Sequence, residues 1–435
     1  MGGSSTALRA LVPALAIPCL FLHATYQPHF SVGVSGTSID ITLADLSVLA
    51  VVVLALSTAR AEGVGALRPA RWLVAGVAAF LLIALLWVAL PRLRGEDYET
   101  VRHLISALKF AWYALLFPAL ALLLRTTEHV SVVLRAVVAW SAAATGWGFL
   151  QFLGVVSEFE GKRPGQREPS FVGIHDFAAL SGAALTLGVA SLVLADDRLL
   201  GRRWWRDLAL ASGALGVVLS GAMTGVAGVW LAFAVALLLV RAAGSLTVRR
   251  VMVVIVMATM VAAGAAVMRA GTIERFAEFL GLRERTEQTG VESYAQRTLL
   301  AYIGGRIWLG SPLLGVGWQA SDDRWAYDPY LDDARKRFPD EPAEAFPSPE
   351  RPWGVQMLYI QVLADLGLVG GAALLAIGIG AVRLGLRRSR GSPVALVGLC
   401  WLCVAAGVWA GVGLIAGIPV AALTWLALGL VSSDS

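Results

Sequence analysis

The chain has 435 residues, of which 57% are apolar and 15% charged, whereas an ordinary soluble domain carries about 25% charged residues. That balance excludes a soluble enzyme domain. The net charge of +5 does not indicate a nucleic-acid partner, because the arginines fall between apolar runs, where membrane topology accounts for them.

Several apolar runs reach the roughly 20 residues needed to cross the hydrocarbon layer. They predict an all-α polytopic membrane protein of about twelve spans, at roughly 7–25, 41–58, 71–90, 103–124, 130–153, 171–195, 206–220, 222–241, 249–268, 354–382, 393–410 and 412–431. No cleavage-site pattern follows the first run, so it is read as a retained span. Residues 1–268 then carry nine helices, 269–353 form one large loop, and 354–435 carry the last three.

Orientation follows from the short loops. One set carries sixteen arginines (at 60, 68, 71, 125, 135, 198, 202, 203, 206, 241, 249, 250, 383, 387, 388 and 390); the opposite set carries six basic residues (at 92, 94, 102, 162, 163 and 167). The positive-inside rule places the richer set and both termini in the cytoplasm, and the large loop outside.

Within that loop, Ser293 to Trp308 reads as an interfacial amphipathic helix, with Leu299, Leu300, Ile303, Ile307 and Trp308 on the apolar face. Gln296, Arg297, Gly304 and Arg306 lie elsewhere around it, Glu292 favours its first turn, and Gly310-Ser311-Pro312 stops it. A tract rich in Pro, Asp and Glu follows, and the chain re-enters an apolar run at Val355. Cys400 and Cys403 have CxxC spacing but no accompanying Cys pair or His cluster, so they read as small core residues, as does Cys19. The pairs Gly221/Gly225, Gly378/Gly380 and Gly407/Gly411 read as close helix contacts.

Four stretches carry a family resemblance: IDITLADL (Ile39 to Leu46), KRPGQREPSFVGIHDFAALSG (Lys162 to Gly182), RTLLAYIGGRIWLGSPLLGVGW (Arg297 to Trp318) and YIQVLADLGLVG (Tyr359 to Gly370). Together around one large loop they resemble the O-antigen ligase and O-antigen polymerase family of bacterial envelope glycosyltransferases. The resemblance implies an inverting enzyme of the bacterial cytoplasmic membrane. It would move a glycan from a polyprenyl diphosphate to a glycan or glycolipid acceptor at the outer face, without metal or other cofactor. Two departures stand out. Met223 occupies the turn where the family often has arginine, and Gln356 and Met357 stand where it often has His-Asn.

That chemistry needs cations on the departing diphosphate and a base for the acceptor hydroxyl. Arg297 is the first candidate cation, against a snorkelling interfacial arginine. Arg306, nine residues on, is expected to share a broad face with it. Arg163 and Arg167 flank a Pro-Gly turn and read as an outer clamp or as a solvated loop. His175 and Asp176, one turn into an apolar helix, are candidate bases, or simply complement the helix start. Gln356 and Tyr359 are positioned to hydrogen-bond sugar. Gln361 and Asp365 read as packing between helices, with a buried arginine as a partner for Asp365. Trp318 and the aromatics around it (Trp308, Trp325, Tyr327, Tyr330, Trp353) read as sugar platforms or as an interfacial belt. Asp40 and Asp45 flank the second span, and Asp45 is expected to pair with an arginine. A transporter and a non-catalytic glycan-binding partner stay open as alternatives.

Overall fold

In the computed structural model, residues 2–34, 37–157, 159–242, 244, 246–279, 282, 293–351, 353–414 and 419–433 are described. Glu292 lies outside them. The chain opens with α1 (Gly2–Leu20), followed by an antiparallel hairpin of β1 (His29–Val34) and β2 (Thr37–Thr42). Then come α2 (Leu43–Glu62), α3 (Arg71–Trp87), α4 (Leu90–Leu93), α5 (Thr100–Ala114), α6 (Leu116–Leu123) and α7 (Thr127–Phe152). After a long loop follow α8 (Ile174–Leu194), α9 (Arg203–Ser220), α10 (Met223–Ala242), α11 (Val248–Met268) and α12 (Ala270–Phe279). The large loop holds α13 (Ser293–Gly310) and α14 (Arg324–Arg337). The chain finishes with α15 (Leu358–Arg388), α16 (Pro393–Trp409) and α17 (Pro419–Ser432).

Eight helices among the described residues are long and apolar enough to cross a membrane. These are α2, the stretch containing α3, the α5–α6 pair, α7, α8, α10, α11 and α15. Three more, in α1, α16 and α17, are apolar but shorter. The expected seventh span, α9, opens on Arg203, Arg206 and Asp207 and falls outside both groups. The hairpin was not expected. Its residues alternate polar and apolar, and Thr42 ends it by capping α2: the Asp45 amide bonds to Thr42 Oγ1 while the Asp45 carboxylate takes the Thr42 amide. Asp45 pairs with Lys109 at 3.2 Å rather than with an arginine.

Among the eight long apolar helices the most enclosed is α8, with 89% of its spanning stretch buried. It packs against α7, α9, α10, α16 and α17. Between apolar helices in lipid, close approach and interhelical hydrogen bonds do the holding. Gly407 lies directly on the backbone of Gly228 and Gly225 lies against Ala178 of α8, as expected of close helix contacts, while Gly378 meets nothing within 4 Å. Trp401 Nε1 donates to Ala183 O at 2.9 Å, tying α16 to α8, and Thr145 Oγ1 donates to Ser212 O at 2.9 Å, tying α7 to α9. Cys400 and Cys403 are buried, as expected.

Helix α13 buries Leu299, Leu300, Ile303 and Ile307 as anticipated, but Gly304 is buried too, against Val355 and Ile360. The following PLLGVGW segment docks on a break in α15. Gly367 has φ +60° and ψ −160° inside that helix, which frees backbone groups on both sides of it. They pair with the loop through four hydrogen bonds: Val316 N to Ala364 O, Gly317 N to Asp365 O, Leu368 N to Pro312 O and Val369 N to Leu313 O, at 2.8–3.3 Å. The Asp365 carboxylate accepts from the amides of Gln319 and Ser321 at 3.1 and 3.0 Å, so its partners are backbone groups and not an arginine.

Candidate functional site

The loop between α7 and α8 builds one wall of the site. Glu168 N donates to Leu219 O at 2.8 Å, holding this loop against the turn between α9 and α10. Arg167 is thereby laid beside Gly221 of that turn. The loop ends at Gly173, and α8 begins at Ile174, so His175 and Asp176 stand in its first turn.

Arg297 of α13 closes over this turn. Its Nη2 lies 2.7 Å from His175 Nε2, and its Nε donates to Gln356 Oε1 at 3.3 Å. A guanidinium only donates, so His175 Nε2 accepts and the proton sits on Nδ1. That Nδ1 is shielded from solvent and has no hydrogen-bond partner among the described residues. The Asp176 carboxylate accepts from Val420 N, in the first turn of α17, at 3.2 Å.

Arg269, at the end of α11, completes the cluster: like Arg167 it lies against Gly221. Burial lowers the Arg167 guanidinium to about 10, aided by the charges of Arg269 and Arg297 and opposed by Glu160. Burial, with the Arg269 charge, lowers Arg297 as well. Burial and then Arg167 depress Lys162 in the same way. Four cations from three separate segments thus stand close together beside the first turn of α8. Holding them there opposes their own repulsion and desolvation. An anion bound among them relieves both.

Arg167, His175, Asp176, Arg297 and Gln356 are therefore brought together. The other expected residues are not. Arg163 is exposed on the loop. Arg306 pairs with Asp333 of α14 at 3.1 Å. Nine residues at 100° each is half a turn round the helix, so Arg306 points away from Arg297. Tyr359 donates to Ala406 O at 2.7 Å and faces an apolar cavity of about 750 Å³ that Leu363, Leu375 and Trp425 also line. Trp318 is fully buried, with Nε1 donating to Ser106 Oγ at 3.0 Å, so it is a core residue with no surface for sugar. Tyr327 is likewise buried.

Arg269 and Glu160 were missed by sequence reasoning. Arg269 directly follows an apolar run, where a single arginine reads as a helix end. Glu160 lies two residues before the motif that drew attention to Lys162. Only the fold, which brings the turn after α9 against the end of α11, puts them in one place. Compared with known protein families and with curated protein sequences, the chain matches none.

Proposed function

We propose that the chain is an O-antigen-ligase-like membrane glycosyltransferase, moving a glycan from a polyprenyl diphosphate to an acceptor sugar hydroxyl at the outer face of the bacterial cytoplasmic membrane. The observation that carries this reading is the convergence of Arg167, Arg269 and Arg297 around His175, at the end of an apolar helix bundle. A diphosphate on a lipid carrier arrives at that depth, with its tail in hydrocarbon and its charge at the polar boundary. Arginine stays charged and grips phosphate oxygens in bidentate fashion.

In this reading the three guanidinium groups neutralise the diphosphate as it leaves. His175 and Gln356 act on Arg297: both accept from it, and together they fix its orientation. With Nε2 committed to Arg297, His175 is a positioning residue and not the base. Arg269 brings a guanidinium to the turn where Met223 departs from the resembled family. The arginine distribution of the short loops supports both termini in the cytoplasm and the arginine cluster outside.

The test is to extract and size polyprenyl-linked glycans from cells lacking the protein. Long chains accumulating on the carrier support a ligase. Single repeat units support a polymerase, the second reading, which the same cation cluster serves. An unchanged carrier-linked pool sinks both.

A further inference from the structure

Beside the cation cluster lies a second group of residues that the donor chemistry does not use. His23 N donates to Phe171 O at 3.1 Å, which pins the residues after α1 to the loop before α8. His23 and Tyr26 both pack on Phe159, each with ring centroids 4.9 Å apart, at 75° and 51°. Tyr26 is 41% exposed, so one end of this aromatic group is not covered by the rest of the chain. Next in the chain is Glu160, held at φ +51°, in the left-handed region that non-glycine residues rarely adopt. Such strain is retained where the surroundings fix a side chain for use.

The Glu160 carboxylate is aimed inward by that backbone. Its Oε2 accepts from Ile174 N at the start of α8, at 3.4 Å. Its Oε1 lies 3.9 Å from His23 Nε2 and makes no hydrogen bond among the described residues. Glu160, His23 and Asp176 all come within 3.5 Å of the point where a side chain on Gly173 would begin. His23 is held below the ordinary imidazole value by burial, with Glu160 opposing, so it stands beside the carboxylate as a neutral ring. Asp176 is occupied by Val420 N. That leaves Glu160, at 32% side-chain exposure, as the accessible carboxylate at the start of α8.

We propose that Tyr26, Phe159, His23 and Glu160 form the acceptor-sugar subsite, with Glu160 as the base. This rests on the transferase reading above. A sugar ring presents an apolar face to the Tyr26–Phe159 edge and its hydroxyls to the carboxylate. The acceptor oxygen bonds to the anomeric carbon of the donor. The bond from that carbon to the phosphate oxygen breaks, and the electron pair leaves with the diphosphate, onto the arginines. The acceptor's proton passes to Glu160 Oε1 and from there to solvent.

The test uses full-length protein in lipid nanodiscs, with carrier-linked glycan and labelled acceptor glycan both prepared from cells lacking the protein. Retention of the labelled acceptor and transfer rate are read separately. Tyr26→Ala is expected to weaken acceptor retention at least tenfold and to leave the half-saturating donor concentration unchanged. Glu160→Gln is expected to lower kcat at least a hundredfold while donor binding persists, and Glu160→Asp to recover part of that loss. Equal acceptor retention by wild type and Tyr26→Ala, no retention by either, or a full rate from Glu160→Gln overturns the subsite. Normal retention that Tyr26→Ala abolishes, with no transfer by the wild type, upholds the subsite and sinks the transferase reading instead.

Discussion

His175 Nε2 and Arg297 Nη2 are 2.7 Å apart although 122 residues separate them in the chain. One comes from the first turn of α8, the other from a helix of the large loop. Replacing His175 by Ala removes the acceptor that aims this guanidinium. A hydrogen bond to a charged group contributes about 1.5–3 kcal/mol, so affinity for a short-chain polyprenyl diphosphate is expected to fall about 10- to 100-fold. His175→Gln keeps an acceptor and is expected to recover much of it. Titration of the nanodisc-embedded protein checks both.

The same titration separates the arginines. Arg167→Ala and Arg269→Ala are each expected to weaken diphosphate binding at least tenfold. Arg163→Ala and Arg306→Ala are expected to stay within about twofold, because Arg163 is solvated and Arg306 is paired with Asp333 on another face.

The break in α15 is expected to be intolerant of side chains. A Cβ on Gly367 would meet the Leu313 carbonyl, in a conformation that other residues rarely adopt. Gly367→Ala is expected to lower the thermal midpoint in detergent sharply. Trp318→Ala, which empties a fully buried site, is expected to cost about 3–5 kcal/mol, read by the same melt.

Stability should also carry a pH signature from the large loop. Burial, and then the Asp323 charge, raises Asp322 to about 6 from 3.8. His103, whose Nε2 lies 3.6 Å from Asp323, and Arg102 oppose this. Between about pH 4 and 6 the folded chain holds a proton at Asp322 that the unfolded chain has lost, so this residue's contribution falls as pH rises through that window. Asp322→Asn removes the dependence. Relative to wild type, its thermal midpoint is expected to rise between pH 4 and 7, and a constant offset would count against it.

The apolar runs, Arg297 and the His175-Asp176 pair were legible because each rests on local chemistry: hydrocarbon thickness, or an ionisable group in a greasy helix. The helix at Ser293 was legible from its spacing, as was the stop at Ser311-Pro312. What stayed hidden depends on which segments meet. Nothing near Arg269 signals that it shares a turn with Arg167, and nothing near Trp318 distinguishes a sugar platform from a core residue. Asp365 is an example of the same limit: an acid about two turns into a helix invites a cationic partner, yet its partners are two amides of a loop more than forty residues earlier.

Those amides, together with the four backbone bonds at Gly367, make the region from Pro312 to Val369 a closed ring fastened at its neck. The excursion through α14 and the proline-rich tract leaves and returns at the same clasp. A nick within that excursion, between Phe338 and Arg351, should leave both ends fastened and the arginine cluster assembled. Insertions there should be borne just as well. That excursion is then free to diverge in length and composition, while the neck and the arginine cluster are not.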